Sequence, residues 1–135
     1  MKAWVIAPSA AEANTSDRYL PDIEKYQVAI TGRPEVPSNP ADDRKQIGRR
    51  FASIQTGDLI ILANGMNRSK TCYFAGFAGD VGSATLARKI GAAQVRHITD
   101  FVSLKEESGA RPRFGWRFLR EDGCFLRLRD CDVRE

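Results

Sequence analysis

Aromatic rings alternate with arginines near the C-terminal end of the chain, in the segment Arg113-Phe114-Gly115-Trp116-Arg117-Phe118. An aromatic ring can stack on any nucleobase, and a guanidinium can bind two phosphate oxygens through its planar fork. Interleaving these two residue types is typical of a surface that contacts nucleic acid. A packed C-terminal helix is the alternative interpretation, and it stays open.

The net charge of +4 over 135 residues has the sign that a polyanionic partner requires. Most of the excess lies in residues 86–135, which contain eleven Lys and Arg against eight Asp and Glu. Most of these basic residues are arginines, the better partners for phosphate. The bias is mild, so it is compatible with nucleic-acid binding without requiring it.

Residues for catalysis or metal binding are scarce. The chain has one histidine, His97, and three cysteines, Cys72, Cys124 and Cys131, with no CxxC, HxE or GxSxG pattern. Zinc sites and disulfide frameworks need paired ligand spacings that are missing here. General-base chemistry would have to rest on a carboxylate, and no carboxylate pair stands out. We therefore expect free thiols, no metal, no cofactor and no enzymatic activity.

Two other functions are compatible with the sequence. Gly76, Gly79 and Gly82, with Asp100 further on, could form a loop that cradles the pyrophosphate of a small nucleotide, although the first two glycines are three apart where the fingerprint needs two. A protein-interaction domain is the other alternative, and its mark would be an exposed apolar patch.

Hydrophobic periodicity and turn residues predict short elements throughout the chain. Ile47, Phe51 and Ile54 repeat at helical spacing and should form one buried stripe. The predicted strands are 2–7, 26–30, 59–63, 71–78, one or two strands within 93–104, and 125–129; the predicted helices are 18–25, 42–54 and 83–90. This order favours an α+β fold with a small, strongly curved mixed sheet, in one domain over residues 1–135; a parallel layered fold fits less well.

Several segments resemble one known family. The run from Arg49 to Leu62, a basic helix leading through Gly57-Asp58 into an apolar strand, resembles the signature of the EVE branch of the PUA-like superfamily. The strand around 73–79, the opening residues 2–6 and the segment 26–35 are similar to other parts of the same domain. The resemblance covers most of residues 2–104, and versions fused to modification-dependent restriction nucleases look closest.

This resemblance implies a pseudo-barrel with two or three flanking helices and a cavity at one mouth. Family members bind nucleic acid there, several by flipping out a modified base. Related sequences often carry a Trp in the loop after the second strand, where this chain has Thr31-Gly32-Arg33-Pro34. Arg33 would then stack or hydrogen-bond in place of that ring.

The candidate site residues follow from these patterns. The predicted base pocket contains Trp4, Thr31, Gly32, Arg33, Asn64, Tyr73 and Trp116. The predicted phosphate contacts are Arg49, Arg50, Arg68 and Lys70. A flipped base loses a few kcal/mol of stacking and pairing, which aromatic stacking and edge hydrogen bonds must return.

Each of these side chains also has an ordinary structural interpretation. Trp4 could pack in the core, and Asn64 could be only a turn residue before Gly65. Arg49 and Arg50 could be solvated charges on their helix. Tyr73 could fill the barrel interior. Alternation would put Tyr73, Ala75 and Phe77 on one face of their strand, and Cys72, Phe74 and Gly76 on the other.

The expected partner is DNA or RNA, with a nuclease acting in trans as a further partner. No apolar run approaches the roughly 18 residues of a membrane helix. The opening residues indicate a strand and not a signal peptide. We therefore expect a cytoplasmic protein without membrane contact, present as a monomer or weak dimer.

Overall fold

The computed structural model describes residues 2–8, 16–36, 47–64, 69–104, 113–115 and 125–128. Three helices and seven strands lie within these residues, and none of these helices is long and apolar enough to cross a membrane. In chain order the elements are β1 (Ala3–Ile6), α1 (Ser16–Tyr26), β2 (Val28–Thr31), α2 (Ile47–Ala52), β3 (Leu59–Asn64), β4 (Ser69–Val81), α3 (Ala84–Ile90), β5 (Gln94–Ser103), β6 (Arg113–Gly115) and β7 (Phe125–Leu128).

One mixed sheet contains all seven strands. Their order is β2-β5-β4-β3-β1-β7, with β6 paired to β4. β1 and β3 run parallel, and the other neighbours are antiparallel. The central strands curl into a half-barrel flanked by the three helices. This confirms the predicted fold class, an α+β fold with a curved mixed sheet of PUA-like form.

Close contact between β4 and β5 bends the sheet. A Cβ atom added at Gly82 would lie 2.7 Å from Val95 Cγ1, and one added at Gly76 would lie 2.6 Å from the carbonyl oxygen of Thr99. The register of the two strands also shifts beyond Gly76, and Asp100 adopts a φ of +52° there. Glycine allows this close approach and the bulges add the bend, so the glycine run serves curvature.

The same finding corrects the nucleotide-binding alternative. Gly76 and Gly79 lie inside β4, which pairs with strands on both sides, and the Gly82 N–H donates to the carbonyl of Val95 at 2.8 Å. A pyrophosphate site needs free N–H groups in a loop between a strand and a helix. The Gly76-Gly79-Gly82 run is not such a loop.

The helices cover one face of the sheet. Ile47, Phe51 and Ile54 are buried in the core there, as their spacing predicts. α3 ends where the sequence predicts and begins one residue later, because Ser83 is its N-cap: the Ser83 hydroxyl accepts from a backbone N–H of the first turn, and Gly91 ends the helix at a φ of +89°. Residues 42–46, predicted as the start of α2, lie outside the described residues.

Two local features differ from the sequence prediction. Tyr26 ends α1 and does not begin a strand, since the chain turns at Gln27 with a φ of +53°. Along β4, Phe74 pairs with Leu62 and Cys72 with Ala63, so Tyr73 is an extra residue in a bulge. The bulge breaks the alternation: Tyr73 and Phe74 both pack against the helix-covered core, and Cys72 belongs to the cluster on the other face.

Candidate nucleic-acid interface

The strand register separates the predicted pocket residues into two groups. Thr31 pairs with Gln94, the first residue of β5, and Gly32 and Arg33 follow directly. Tyr73 lies beside the other end of β5, where its carbonyl accepts from the N–H of Leu104 at 2.9 Å. A ten-residue strand covers about 30 Å of chain. The two groups therefore lie at opposite ends of β5 and do not line one pocket.

The other predicted residues do not restore a single pocket. Asn64 pairs with Thr71 at the same end of the sheet as Tyr73, and Lys70 is the next strand residue. The side chains of Asn64 and Lys70 lie outside the described part of the structure, as do all atoms of Arg68 and Trp116. The roles predicted for these four side chains stay predictions.

Trp4 is a core residue. Only 3 % of its surface is exposed, so its ring could not stack on a base without leaving the core. Its indole Nε1 donates to Asp58 Oδ2 at 2.9 Å. Of the two interpretations of Trp4, the structure supports core packing, and the stacking role is corrected.

Asp58 explains the Gly-Asp pair of the helix-to-strand segment. Besides Trp4, its carboxylate accepts from the backbone N–H of Lys2 at 3.1 Å and of Gln55 at 3.0 Å. Burial by itself would raise the pKa of Asp58, but these three hydrogen bonds outweigh it and hold the pKa below its ordinary value. Asp58 therefore joins β1, β3 and the end of the preceding helix as a structural residue.

The loop after β2 rests directly on α2. A Cβ atom at Gly48 would overlap the carbonyl oxygen of Pro34 and lie 2.7 Å from its carbon, so only glycine fits at this point of the helix. The Thr31 hydroxyl accepts from the N–H of Arg33 at 3.2 Å and closes the start of the loop. The loop backbone and the first turn of α2 thus form one packed unit.

Gln94 fastens this unit to the sheet. Its side-chain Nε2 donates to the carbonyl of Arg33 at 2.8 Å and to the carbonyl of Gly48 at 2.9 Å. We call residues 31–36, residues 47–54 and Gln94 together the loop–helix edge. Sequence analysis missed Gln94, because its importance depends on the β2–β5 register that sets it opposite Thr31.

Arg96 holds the segment that directly follows α2 in the same way. Arg96 as a whole is 6 % exposed. Its guanidinium Nη1 donates to the carbonyl of Ile54 at 2.7 Å, Nε to the carbonyl of Gly79 at 2.8 Å, and Nη2 to Thr56 Oγ1 at 3.1 Å. Side chains two residues apart on a strand point the same way. Gln94 and Arg96 therefore act as two fasteners for the segment that carries Arg49 and Arg50.

The loop–helix edge carries an excess of positive charge. Arg49 is exposed, and Arg33 and Arg50 are half-buried. Glu35 is the one acidic residue in the described loop and helix, and it is exposed. The structure thus brings three of the predicted contact residues, Arg33, Arg49 and Arg50, onto one braced unit. Phe51, the aromatic residue of this edge, is buried and offers no stacking surface.

Metal ligands and thiols are the other groups that the sequence raised as chemical candidates. No group of three or more His, Cys, Asp or Glu residues there could hold a metal ion. Cys72 is a buried free thiol, and burial raises its pKa to about 11. A thiol with so high a pKa is protonated near neutral pH and is a poor nucleophile.

Comparison with known proteins gives no relative for this chain. No family model, no curated protein and no solved structure matches it. The family resemblance therefore stays a prediction.

Proposed function

We propose that this chain is a nucleic-acid-binding module of the PUA-like, EVE type, and that it binds DNA or RNA through the loop–helix edge. The observation that carries the proposal is the convergence of Arg33, Arg49 and Arg50 on a loop and helix fastened to the sheet by Gln94. Arginine is suited to phosphate oxygens, and a braced edge loses little conformational entropy when it binds.

The same edge would hold a single unstacked base, modified or unmodified, at the mouth of the half-barrel. Unstacking costs a few kcal/mol, which the protein must return by stacking and by hydrogen bonds to the base edge. Because Phe51 is buried, the planar guanidinium of Arg33 is the stacking partner that we propose. It takes the place of the tryptophan that related sequences carry.

The module has no catalytic role in this proposal. Chemistry on the bound nucleic acid would come from a nuclease acting in trans, in keeping with the restriction systems that the sequence resembles. We place this activity in the cytoplasm, with the module working as a monomer or weak dimer.

One specific observation favours a second function, binding of another protein. Phe77, Val81 and Val102 expose 37 %, 71 % and 50 % of their surfaces on the adjacent strands β4 and β5. Exposed large apolar side chains often mark interaction sites. Sedimentation velocity on the wild type and on Val81→Ser/Val102→Ser would detect self-association through them.

Fluorescence anisotropy with labelled single- and double-stranded oligonucleotides tests the main proposal. The series should include DNA and RNA, with and without modified bases, first at low salt and then over a salt titration. We expect binding whose affinity falls steeply with salt, because phosphate contacts release counterions. Absence of binding to every member of the series at low salt would refute the proposal.

Two matched variants locate the contact. Arg49→Gln removes an exposed charge from the loop–helix edge, and Lys25→Gln removes one from the end of α1, before the start of β2. Loss of one phosphate contact should lower the slope of log K against log salt by about 1. We expect this change for Arg49→Gln and a smaller one for Lys25→Gln; equal effects would contradict the assigned surface.

A further inference from the structure

Gln94 has a fixed orientation that gives it a second role. The two oxygen atoms that contact Nε2 are both backbone carbonyls, of Arg33 and Gly48, and a carbonyl can only accept. The nitrogen of the amide must therefore face them, and Oε1 cannot exchange places with it. None of the described residues donates a hydrogen bond to Oε1.

Most of the charged side chains of the loop–helix edge are hydrogen-bond donors. The loop–helix edge carries three arginines, which offer donors only, and one carboxylate, on the exposed Glu35. Gln94 as a whole is half-buried and keeps part of its surface exposed. It also lies opposite Thr31, at the base of the loop that we propose contacts the base. An oriented acceptor at this point selects ligands that present a donor.

We propose that Gln94 Oε1 accepts a hydrogen bond from the exocyclic amino group of an unstacked adenine or cytosine at the loop–helix edge. This inference rests on the proposed nucleic-acid binding. A free glutamine commonly pairs with adenine through both its donor and its acceptor. Here the protein uses both N–H groups of the amide, so Gln94 reads by its acceptor alone. It recognises the amino group at N6 of adenine or N4 of cytosine, where guanine and thymine carry a carbonyl oxygen.

Base analogues that differ by one group test the inference. The probes are oligothymidine strands with one variable position, and duplexes with a single bulged nucleotide at the variable position. Two pairs of bases are compared there: adenine with purine, and cytosine with 2-pyrimidinone. Each second base lacks only the amino group. One neutral hydrogen bond corresponds to roughly a three- to tenfold change in affinity. We expect the wild type to prefer adenine over purine, and cytosine over 2-pyrimidinone, by that factor.

Two variants distinguish recognition of the base amino group from stabilisation of the loop after β2. In Gln94→Lys the ammonium can still donate to the carbonyls of Arg33 and Gly48, but the side chain has no acceptor. We expect both preferences to fall to about one while the melting temperature stays near that of the wild type. Gln94→Met removes donors and acceptor together and should lose both the preferences and some thermal stability.

The outcomes distinguish the two proposals. If the wild type binds none of the oligonucleotides, the proposed function fails and this inference fails with it. If the wild type binds the adenine, purine, cytosine and 2-pyrimidinone probes equally, nucleic-acid binding stands and the role of Gln94 is overturned. Retention of the preferences in Gln94→Lys, with their loss in Gln94→Met, would also overturn it, because Gln94 would then act only by fastening the loop.

Discussion

The contact between Gly48 and the loop after β2 predicts that Gly48→Ala lowers the stability of the protein, whereas alanine in an unobstructed helix would raise it. An alanine Cβ at position 48 would overlap the Pro34 carbonyl oxygen and lie 2.7 Å from its carbon, where ordinary contact begins at 3.4 Å. Relief of the contact with the carbon alone would need a shift of about 0.7 Å (3.4 minus 2.7 Å), and the overlapping oxygen would need a larger one. Such a shift strains the two hydrogen bonds from Gln94 Nε2.

The magnitude follows from opposing effects. Overpacking of this kind costs typically 1–3 kcal/mol, and each weakened hydrogen bond about 1 kcal/mol. Alanine gains about 1 kcal/mol over glycine from its helix propensity. The expected net effect of Gly48→Ala is a loss of about 2–4 kcal/mol in the free energy of unfolding.

Urea denaturation followed by far-UV circular dichroism measures this change, with the m-value checked for constancy. If α2 made no contact with the loop, alanine would stabilise the protein and the free energy of unfolding would increase. A Gly48→Ala protein as stable as the wild type, or more stable, would therefore refute the packing of the loop–helix edge. Under conditions where the variant is folded, we also expect weaker oligonucleotide binding, because the loop is displaced.

Two further substitutions probe the residues that brace this edge. Asp58→Asn should cost about 1–3 kcal/mol at pH 7, because one amide orientation keeps the bonds from Trp4 and Gln55 but turns its NH2 towards the N–H of Lys2. Since the pKa of Asp58 is lowered in the folded state, its contribution to the free energy of unfolding is complete above the unfolded value of 3.8 and is lost as the pH falls through the folded pKa. The stability difference between wild type and Asp58→Asn, measured by urea titration, should therefore shrink at acid pH. A difference that stays constant with pH would contradict this role of the Asp58 carboxylate. Arg96→Met should cost about 2–4 kcal/mol by the same method, because the buried Ile54 carbonyl loses its donor and the Gly79 carbonyl keeps only the longer bond from Thr56 Oγ1 at 3.4 Å. An unchanged midpoint would show that Arg96 does not fasten the segment after α2.

Local sequence signals predicted most of the individual elements. Ser83 and Gly91 bound α3 because capping depends on residues within one turn. The stripe of Ile47, Phe51 and Ile54 predicted a buried helix face for the same reason. The order of the short strands and helices, together with the family resemblance, led to the correct fold class.

The arrangement of the site depended on information that is not local. Which residues meet is decided by register, and the bulge at Tyr73 moves Cys72 and Phe74 to different faces. Sequence analysis therefore combined Thr31 and Tyr73 in one pocket, although they lie at opposite ends of β5. Gln94 and Arg96 were missed because a lone polar residue in a strand sequence does not indicate which backbone carbonyls it will find.

Backbone amide shift mapping by NMR is the most direct measurement of where this chain binds. An oligonucleotide selected by anisotropy would be titrated into uniformly ¹⁵N-labelled protein. We predict that the largest shifts fall on Gly32, Arg33 and residues 48–50, with Gln94 also affected. Shifts concentrated instead around Tyr73 and Leu104, or around the exposed Phe77 and Val102, would place binding elsewhere and contradict the assignment of the loop–helix edge.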